Sequence, residues 1–349
     1  MQTSSQWSQG RFHNPQPLWT DYPGSFLSAM RSSPDAVPAE PIQVATPALD
    51  ADPATGLQAT WLGHSTVYVN LEGTRILTDP MWSDRASPLA RLGPRRFFPA
   101  PIALEALPRP DAVVLSHDHY DHLDRPTILR MRSWDTRFIV PLGVGRRLAS
   151  WGIQPSRITE LDWWERTEVK GIQIVCTPAR HASGRTPFDK DRTLWSGFAF
   201  LGTSRRVYFS GDTGLFRALD EVGRLGPFDL TLIECGEYGQ AWPDWHLGPE
   251  QAVEAHLRVG GQALLPIHWG TFKLAPHAWT EPMERVLAAA SAQGVRVLTP
   301  RPGATFEPAL PSRPEPWWPA LPWKTAREVP ILATSDGLKP VRNALIPQN

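Results

Sequence analysis

The feature that most restricts this chain is a dense set of imidazoles and carboxylates placed where an apolar run stops. Ala112-Val113-Val114-Leu115-Ser116 reads as a buried strand, and it leads straight into His117-Asp118-His119-Tyr120-Asp121-His122-Leu123-Asp124. His117 and His119 are two residues apart, so an extended backbone points both rings to one side. Asp121 and His122 continue into the turn, where they can face a second metal ion. Imidazole nitrogen and carboxylate oxygen suit zinc and similar divalent ions. The alternative is a solvated polar loop, which poorly explains three histidines and three aspartates within eight residues.

The surrounding pattern says what kind of fold carries this segment. Residues 1–55 read as an extended arm of Pro, Ser, Asp and Ala with sparse aromatics at Phe12, Trp19, Tyr22 and Phe26. Residues 57–80 read as a meander of three short strands. Beyond the cluster, helix is expected over 127–134, 143–152, 215–226, 248–260 and 281–294. Strands are expected over 137–141, 157–161, 171–180, 193–202, 205–212, 229–236, 262–270 and 295–300. Pro249 falls in the first turn of its helix, where a missing N–H costs nothing. A meander followed by alternating strands and helices predicts an α/β architecture of packed sheets with helices outside. We read one domain over 56–300, flanked by the arm and by a Pro-rich tail over 301–349 that carries Trp317, Trp318 and Trp323.

Further candidate ligands stand where later apolar runs end. His181 follows one, Asp212 another and His268 a third, each beside small residues that allow close backbone approach. Any one of them alone reads equally as a satisfied core or surface residue. Beside the 117–122 cluster, the metal-ligand reading is the better one.

The combination of HDHYDH at 117–122, RHASGR at 180–185, SGDTG at 210–214 and IHWGTF at 267–272 resembles the metallo-β-lactamase superfamily. That resemblance implies an αββα sandwich with the metal site at one edge of two packed sheets. It also implies two zinc ions, other divalent metals being compatible. His117, His119 and His181 would bind the first, Asp121, His122 and His268 the second, and Asp212 would bridge. Segments 63–88, 93–101, 115–124 and 245–253 are similar to the branch of phospholipases D that hydrolyse N-acyl-phosphatidylethanolamine, and to its bacterial relatives. By that likeness Asp79 and His64 lie beside the metals, and His246 meets a substrate phosphate. Read from the residues alone, Asp79 before Pro80 also suits a turn, and His246 a helix entry. We carry Asp121, Asp79 and His246 as catalytic candidates, and His246 and His64 as substrate-binding ones.

Such a site predicts a metal-dependent hydrolase. A metal-bridging hydroxide would attack phosphorus or carbonyl, and Asp121 or Asp79 would accept the proton. The leading expectation is a phosphodiesterase of phospholipase D type on N-acyl-phosphatidylethanolamine-like lipids. A hydrolase of a soluble ester, lactone or cyclic phosphodiester is the alternative. With 35 basic and 35 acidic residues the net charge is zero, which disfavours a nuclease, and the basic run at 91–96 is too short to change that. An electron-transfer di-iron role is disfavoured because position 119 is His where such relatives carry Glu. Cys176 and Cys235 lie in apolar strands and are expected to stay reduced. The N-terminus shows no secretory pattern, and no stretch approaches the roughly 18 apolar residues of a membrane span. A cytoplasmic protein is therefore expected, with peripheral contact at the inner membrane face. The aromatics of arm and tail would either rest on a bilayer or pack on the domain's flank. A homodimer is what the resemblance suggests.

Overall fold

Alternation along the strands sorts apolar side chains onto two faces. In the second strand of the meander Val67, Val69 and Leu71 join one buried cluster while Tyr68 joins another. Ala112 and Val114 face the first cluster, and Val113 and Leu115 the second. A sheet apolar on both faces must be covered on both. The computed structural model describes residues 4–25, 33–89, 91–311 and 315–338. Phe26 lies outside them.

A small hairpin, β1 (Trp7–Ser8) and β2 (Arg11–Phe12), opens the chain. The expected meander follows as β3 (Leu57–Gly63), β4 (Thr66–Leu71) and β5 (Thr74–Thr78). Then come β6 (Ala112–Val114), α1 (Arg125–Arg130), β7 (Arg137–Pro141), α2 (Val144–Ser150) and β8 (Ile158–Leu161). The second half holds β9 (Arg166–Val169), β10 (Ile172–Thr177), β11 (Gly197–Leu201) and β12 (Arg206–Phe209). It continues with α3 (Leu219–Val222), β13 (Leu230–Glu234), α4 (Pro249–Arg258), β14 (Leu264–Ile267), α5 (Glu281–Gln293) and β15 (Thr305–Phe306).

Two sheets result, one of seven strands in the order β15-β3-β4-β5-β6-β7-β8 and one of six in the order β14-β13-β12-β11-β10-β9. Helix α2 packs on β7 and β8, while α4 packs on β13, β14 and α5. This is the αββα sandwich. Strands β5 to β8 are mutually parallel, and β3 shares their direction through two antiparallel steps. Likewise β10, β12, β13 and β14 run one way. The carboxyl ends of nine strands are thereby gathered on common rims, where ligands bind in α/β sheets.

The sequence expectation does not include the hairpin β1–β2 in the arm, strand β9, or β15 of the tail beside β3, and further details depart from it. The helix over 215–226 shortens to α3 and one 3-10 turn at Gly223–Leu225, its first four residues staying outside. The strand over 295–300 reduces to a single bridge at Val297, since Pro300 and Pro302 cannot donate to a ladder. The tail tryptophans turn inward: Trp318 is 5% exposed and donates to Glu284, and Trp317 lies against Trp61 and Trp269. Those two side chains serve the core, whereas Tyr22 of the arm is 69% exposed.

One buried imidazole away from the rim makes the fold acid-sensitive. His256 on α4 is 1% exposed, and its Nδ1 lies 2.7 Å from Thr231 Oγ1 on β13. Burial pulls it down to about 4. An unfolded histidine takes up its proton near pH 6.5, so His256 favours the folded state fully above that pH and less as pH falls toward 4. In metal-free protein, urea unfolding should lose about 2–3 kcal/mol more between pH 7 and 4.5 for the parent than for His256→Gln. Equal losses would remove His256 from the acid response.

Candidate metal centre

Every candidate metal ligand stands just past, or at the end of, a strand directed at the common rim, and His246 lies in the loop that enters α4. His64 follows β3, Asp79 follows β5 and the 117–122 cluster follows β6. His181 follows β10, Asp212 follows β12, Glu234 ends β13 and His268 follows β14. Several backbones turn abruptly there: φ is +52° at His64, +32° at Asp79 and +61° at His268. Side chains rarely adopt such angles, at a cost on the order of 1–3 kcal/mol each. Cross-ties hold them. His268 N donates to the His64 carbonyl at 3.1 Å, His64 N to Thr271 Oγ1 at 2.7 Å, and Asp79 N to the Val114 carbonyl at 3.0 Å. At Gly211, φ is +57° and a Cβ would lie 2.6 Å from the Ser196 carbonyl, so the turn that aims Asp212 requires glycine.

The donors fall into two groups that share one atom. In the first, His119 Nδ1 lies 2.8 Å from His117 Nε2 and 3.2 Å from His181 Nε2. In the second, His122 Nε2 is 3.3 Å from Asp121 Oδ2, and His268 Nε2 is 3.2 Å from His122 Nε2 and 3.5 Å from Asp121 Oδ2. Asp212 Oδ2 stands 3.8 Å from both His117 and His181 Nε2, and 3.0 and 3.2 Å from His122 and His268 Nε2. Four ligands on a tetrahedral zinc, with bonds near 2.0–2.1 Å, are separated by about 3.3 Å. Each group could therefore hold one divalent ion.

Outer contacts set the rings. His122 donates Nδ1–H to Asp79 Oδ2 at 2.7 Å, and His117 donates Nδ1–H to Ser116 Oγ at 2.9 Å. Ser116 passes the bond on, its hydroxyl donating to Asp79 Oδ2 at 2.5 Å and its N–H to Oδ1 at 2.7 Å. One buried carboxylate thus orients a ring in each group and leaves both Nε2 atoms as acceptors facing inward. His181 donates Nδ1–H to the Trp245 carbonyl at 2.8 Å. His246, with its side chain 16% exposed, donates Nδ1–H to the buried Glu234 at 2.8 Å.

The electrostatics ask for cations. Burial pulls His117, His181 and His119 down, leaving neutral donors. Burial also opposes charge on His122 and His268, yet Asp212 and Asp121 outweigh it and hold both rings above their ordinary range. Against burial, the same rings hold Asp121 and Asp212 well below the usual carboxylate range. Among the described residues, no lysine or arginine forms an ion pair with Asp79, Asp121, Asp212 or Glu234. Asp212 Oδ1 is buried without a partner. Buried charge of one sign needs its counter-charge close by, and this donor set fits divalent metal.

Comparison with known proteins agrees with this chemistry. The family described as Beta-lactamase superfamily domain matches residues 74–269. The chain belongs to that superfamily. It is 50% identical over 286 residues to an uncharacterised protein of Mycobacterium tuberculosis, spanning 80% of this chain and 77% of that one. It is 42% identical over 248 residues to N-acyl-phosphatidylethanolamine-hydrolyzing phospholipase D 1 of Caenorhabditis elegans, spanning 66% of this chain and 69% of that one. A solved metallo hydrolase of Ignicoccus hospitalis superposes with a TM-score of 0.56 at 25% identity, covering 72% of this chain and 98% of that chain. Within the superfamily this chain is a metal-dependent hydrolase.

The rim brings together every candidate named from the sequence, though not all on the same side. Asp79 is 0% exposed behind His122, with both oxygens taken by Ser116 and His122. His64 is 1% exposed; burial, with His268 beside it, pulls it down to about 3, and its Nε2–H donates to Asp121 Oδ2 at 2.9 Å. The His64 ring also packs against His122, His268 and Phe272, so it is enclosed by the centre itself. Ser116, Glu234 and the Trp245 carbonyl escaped sequence reasoning. Only Glu234 left a signal, as a carboxylate inside the apolar run 230–235. Asp79→Asn should keep its fold by circular dichroism yet retain zinc about 10–100-fold less tightly in chelator competition. Parent-like retention would show that Asp79 does not orient the ligands.

Proposed function

We propose that this chain is a binuclear zinc phosphodiesterase of phospholipase D type, acting on N-acyl-phosphatidylethanolamine-like lipids. The observation that carries the reading is Asp212 Oδ2, a single oxygen within 3.8 Å of four imidazole nitrogens from both donor groups. His117, His119 and His181 would hold one ion, Asp121, His122 and His268 the other, with Asp212 shared. Metal bound there supplies Lewis acidity and lowers the pKa of coordinated water toward neutrality.

The protein's own groups do the rest. Asp121 is the carboxylate of the set with exposure, its side chain 16% accessible, and it is placed to accept a proton while His64 steadies its Oδ2. His246 pairs Nδ1 with Glu234, and Nε2, when it carries a proton, can donate to a phosphate oxygen of the substrate. No side-chain nucleophile is called for: Cys176 and Cys235 are buried, and burial pushes both thiols up. The lipid substrate is supported by the similarity to the nematode phospholipase D. Among the described residues no helix is long and apolar enough to cross a membrane, so access to lipid would be peripheral.

Zinc-loaded protein should release N-acylethanolamine from N-acyl-phosphatidylethanolamine in mixed micelles, well above its turnover of bis(p-nitrophenyl) phosphate or a simple lactone. Chelator should abolish the activity. Cleavage of the soluble substrates alone would move the function to a small-molecule hydrolase on the same metals. His246→Ala should keep its zinc and lose on the order of 100-fold in kcat/KM on phosphodiesters. Unchanged kinetics would take His246 out of the substrate site.

A further inference from the structure

A buried ion pair lies immediately behind this rim, and the hydrolytic reading gives it no task. Arg180 and Asp244 are both 0% exposed and meet at 2.9 Å between Nη1 and Oδ1. All five guanidinium donors are used. Nε reaches the Gln16 carbonyl, Nη1 the Leu215 carbonyl and Asp244, and Nη2 the Pro17 carbonyl and Thr334 Oγ1. Asp244 is equally saturated. It accepts from Trp19 N at 2.8 Å, from Thr334 N at 2.7 Å and from the Thr334 hydroxyl at 2.5 Å, besides Arg180. A buried pair offsets its desolvation only when its remaining donors and acceptors are satisfied in this way. Apart from the Leu215 carbonyl, the partners come from the arm (Gln16, Pro17, Trp19) and the tail (Thr334), two segments far apart in sequence.

Each anchor adjoins a residue of the metal centre. Arg180 precedes His181, and its own N–H donates to Thr213 Oγ1 at 2.8 Å, next to Asp212. Asp244 precedes Trp245, whose carbonyl fixes the His181 ring, and is two residues from His246. The arm adds a second grip. Asn14 donates Nδ2 to the His181 carbonyl at 2.6 Å and accepts the His181 N–H at 3.2 Å, while the Trp245 indole donates to Thr20 Oγ1 at 2.8 Å. His181 is therefore held at its carbonyl, its N–H and its Nδ1 by groups that the arm supplies or places.

We infer that the Arg180–Asp244 pair, with Asn14 and Thr334, is the positioning element for His181, so that both terminal segments are part of the metal centre. The inference rests on the binuclear reading above. It concerns one half of the site: the hydrogen bonds that orient His122 and His268, the imidazoles of the second group, come from Asp79 and the His64 loop, and the tail reaches that half through Trp317 and Trp318 packed on Trp269 rather than through Thr334.

The test is zinc titration of the full chain against a chromogenic chelator, for the parent, Asn14→Ala, Thr334→Val and Thr334→Ser. The parent should bind two ions. Asn14→Ala and Thr334→Val should weaken one of them about tenfold or more and leave the other unchanged. Thr334→Ser, which keeps the hydroxyl, should restore the parent curve. Melting of the zinc-free proteins separates positioning from loss of fold, because a merely structural role would lower that melting temperature and weaken both ions together. If Asn14→Ala melts low when zinc-free, the Thr334 pair decides. Two ions held as tightly in Asn14→Ala and Thr334→Val as in the parent would overturn the inference and leave the binuclear reading standing. A parent that binds fewer than two ions would overturn both.

Discussion

Four carboxylates, Asp79, Asp121, Asp212 and Glu234, share one rim of this fold with seven of the chain's ten histidines. Among the described residues, no lysine or arginine pairs with them. That is the constraint on which the rest of the structure depends. Desolvated anions at such density are tolerable only beside positive charge, and imidazoles supply it themselves only by binding protons they are otherwise disposed to lose. Burial pushes His117 down, while Asp212 and Asp121 pull His122 up against burial, so one ring is kept as a neutral donor and the other shares the carboxylates' charge.

The sandwich exists to bring that charge to one place. Neither sheet alone holds a complete set: His64, Asp79 and the 117–122 cluster come from the seven-stranded sheet, while His181, Asp212, Glu234, His246 and His268 come from the six-stranded sheet and its loops. The two meet through apolar packing between them, and through short polar ties such as His268 N to the His64 carbonyl. Left-handed backbone at His64, Asp79 and His268 shows strain concentrated where strands hand over to the site, as expected when surrounding packing over-determines a functional geometry.

Outer groups repeat one device on both halves. A ring donates its far N–H to a fixed acceptor, and its near nitrogen is thereby aimed inward. Asp79 serves His122 directly and His117 through Ser116, and the Trp245 carbonyl serves His181; His246 differs, since the Nδ1 it turns to Glu234 is also 3.9 Å from Asp212 Oδ2. The arm meets Arg180 through the Gln16 and Pro17 carbonyls, and the tail through the Thr334 hydroxyl, which bonds to both Arg180 and Asp244.

Much of this was legible in the order of residues. Strand periodicity located β3 to β8 and β10 to β14, because alternation and apolar runs are local consequences of pleat and burial. The ligand candidates were readable because dense imidazole and carboxylate at strand ends has few other uses. What the sequence determined by itself was therefore the chemistry: which atoms can donate to metal, and that apolar strands deliver them to an edge. Only the tertiary structure decided how the atoms are shared out. It placed one oxygen of Asp212 between both groups, turned Asp79 and His64 to brace ligands, enlisted Ser116 and Glu234, and drew Asn14 onto His181 and Gln16, Pro17 and Thr334 onto Arg180. Those relations join residues tens to hundreds of positions apart. They depend on the angle at which two sheets pack, and no local period in a sequence encodes that angle.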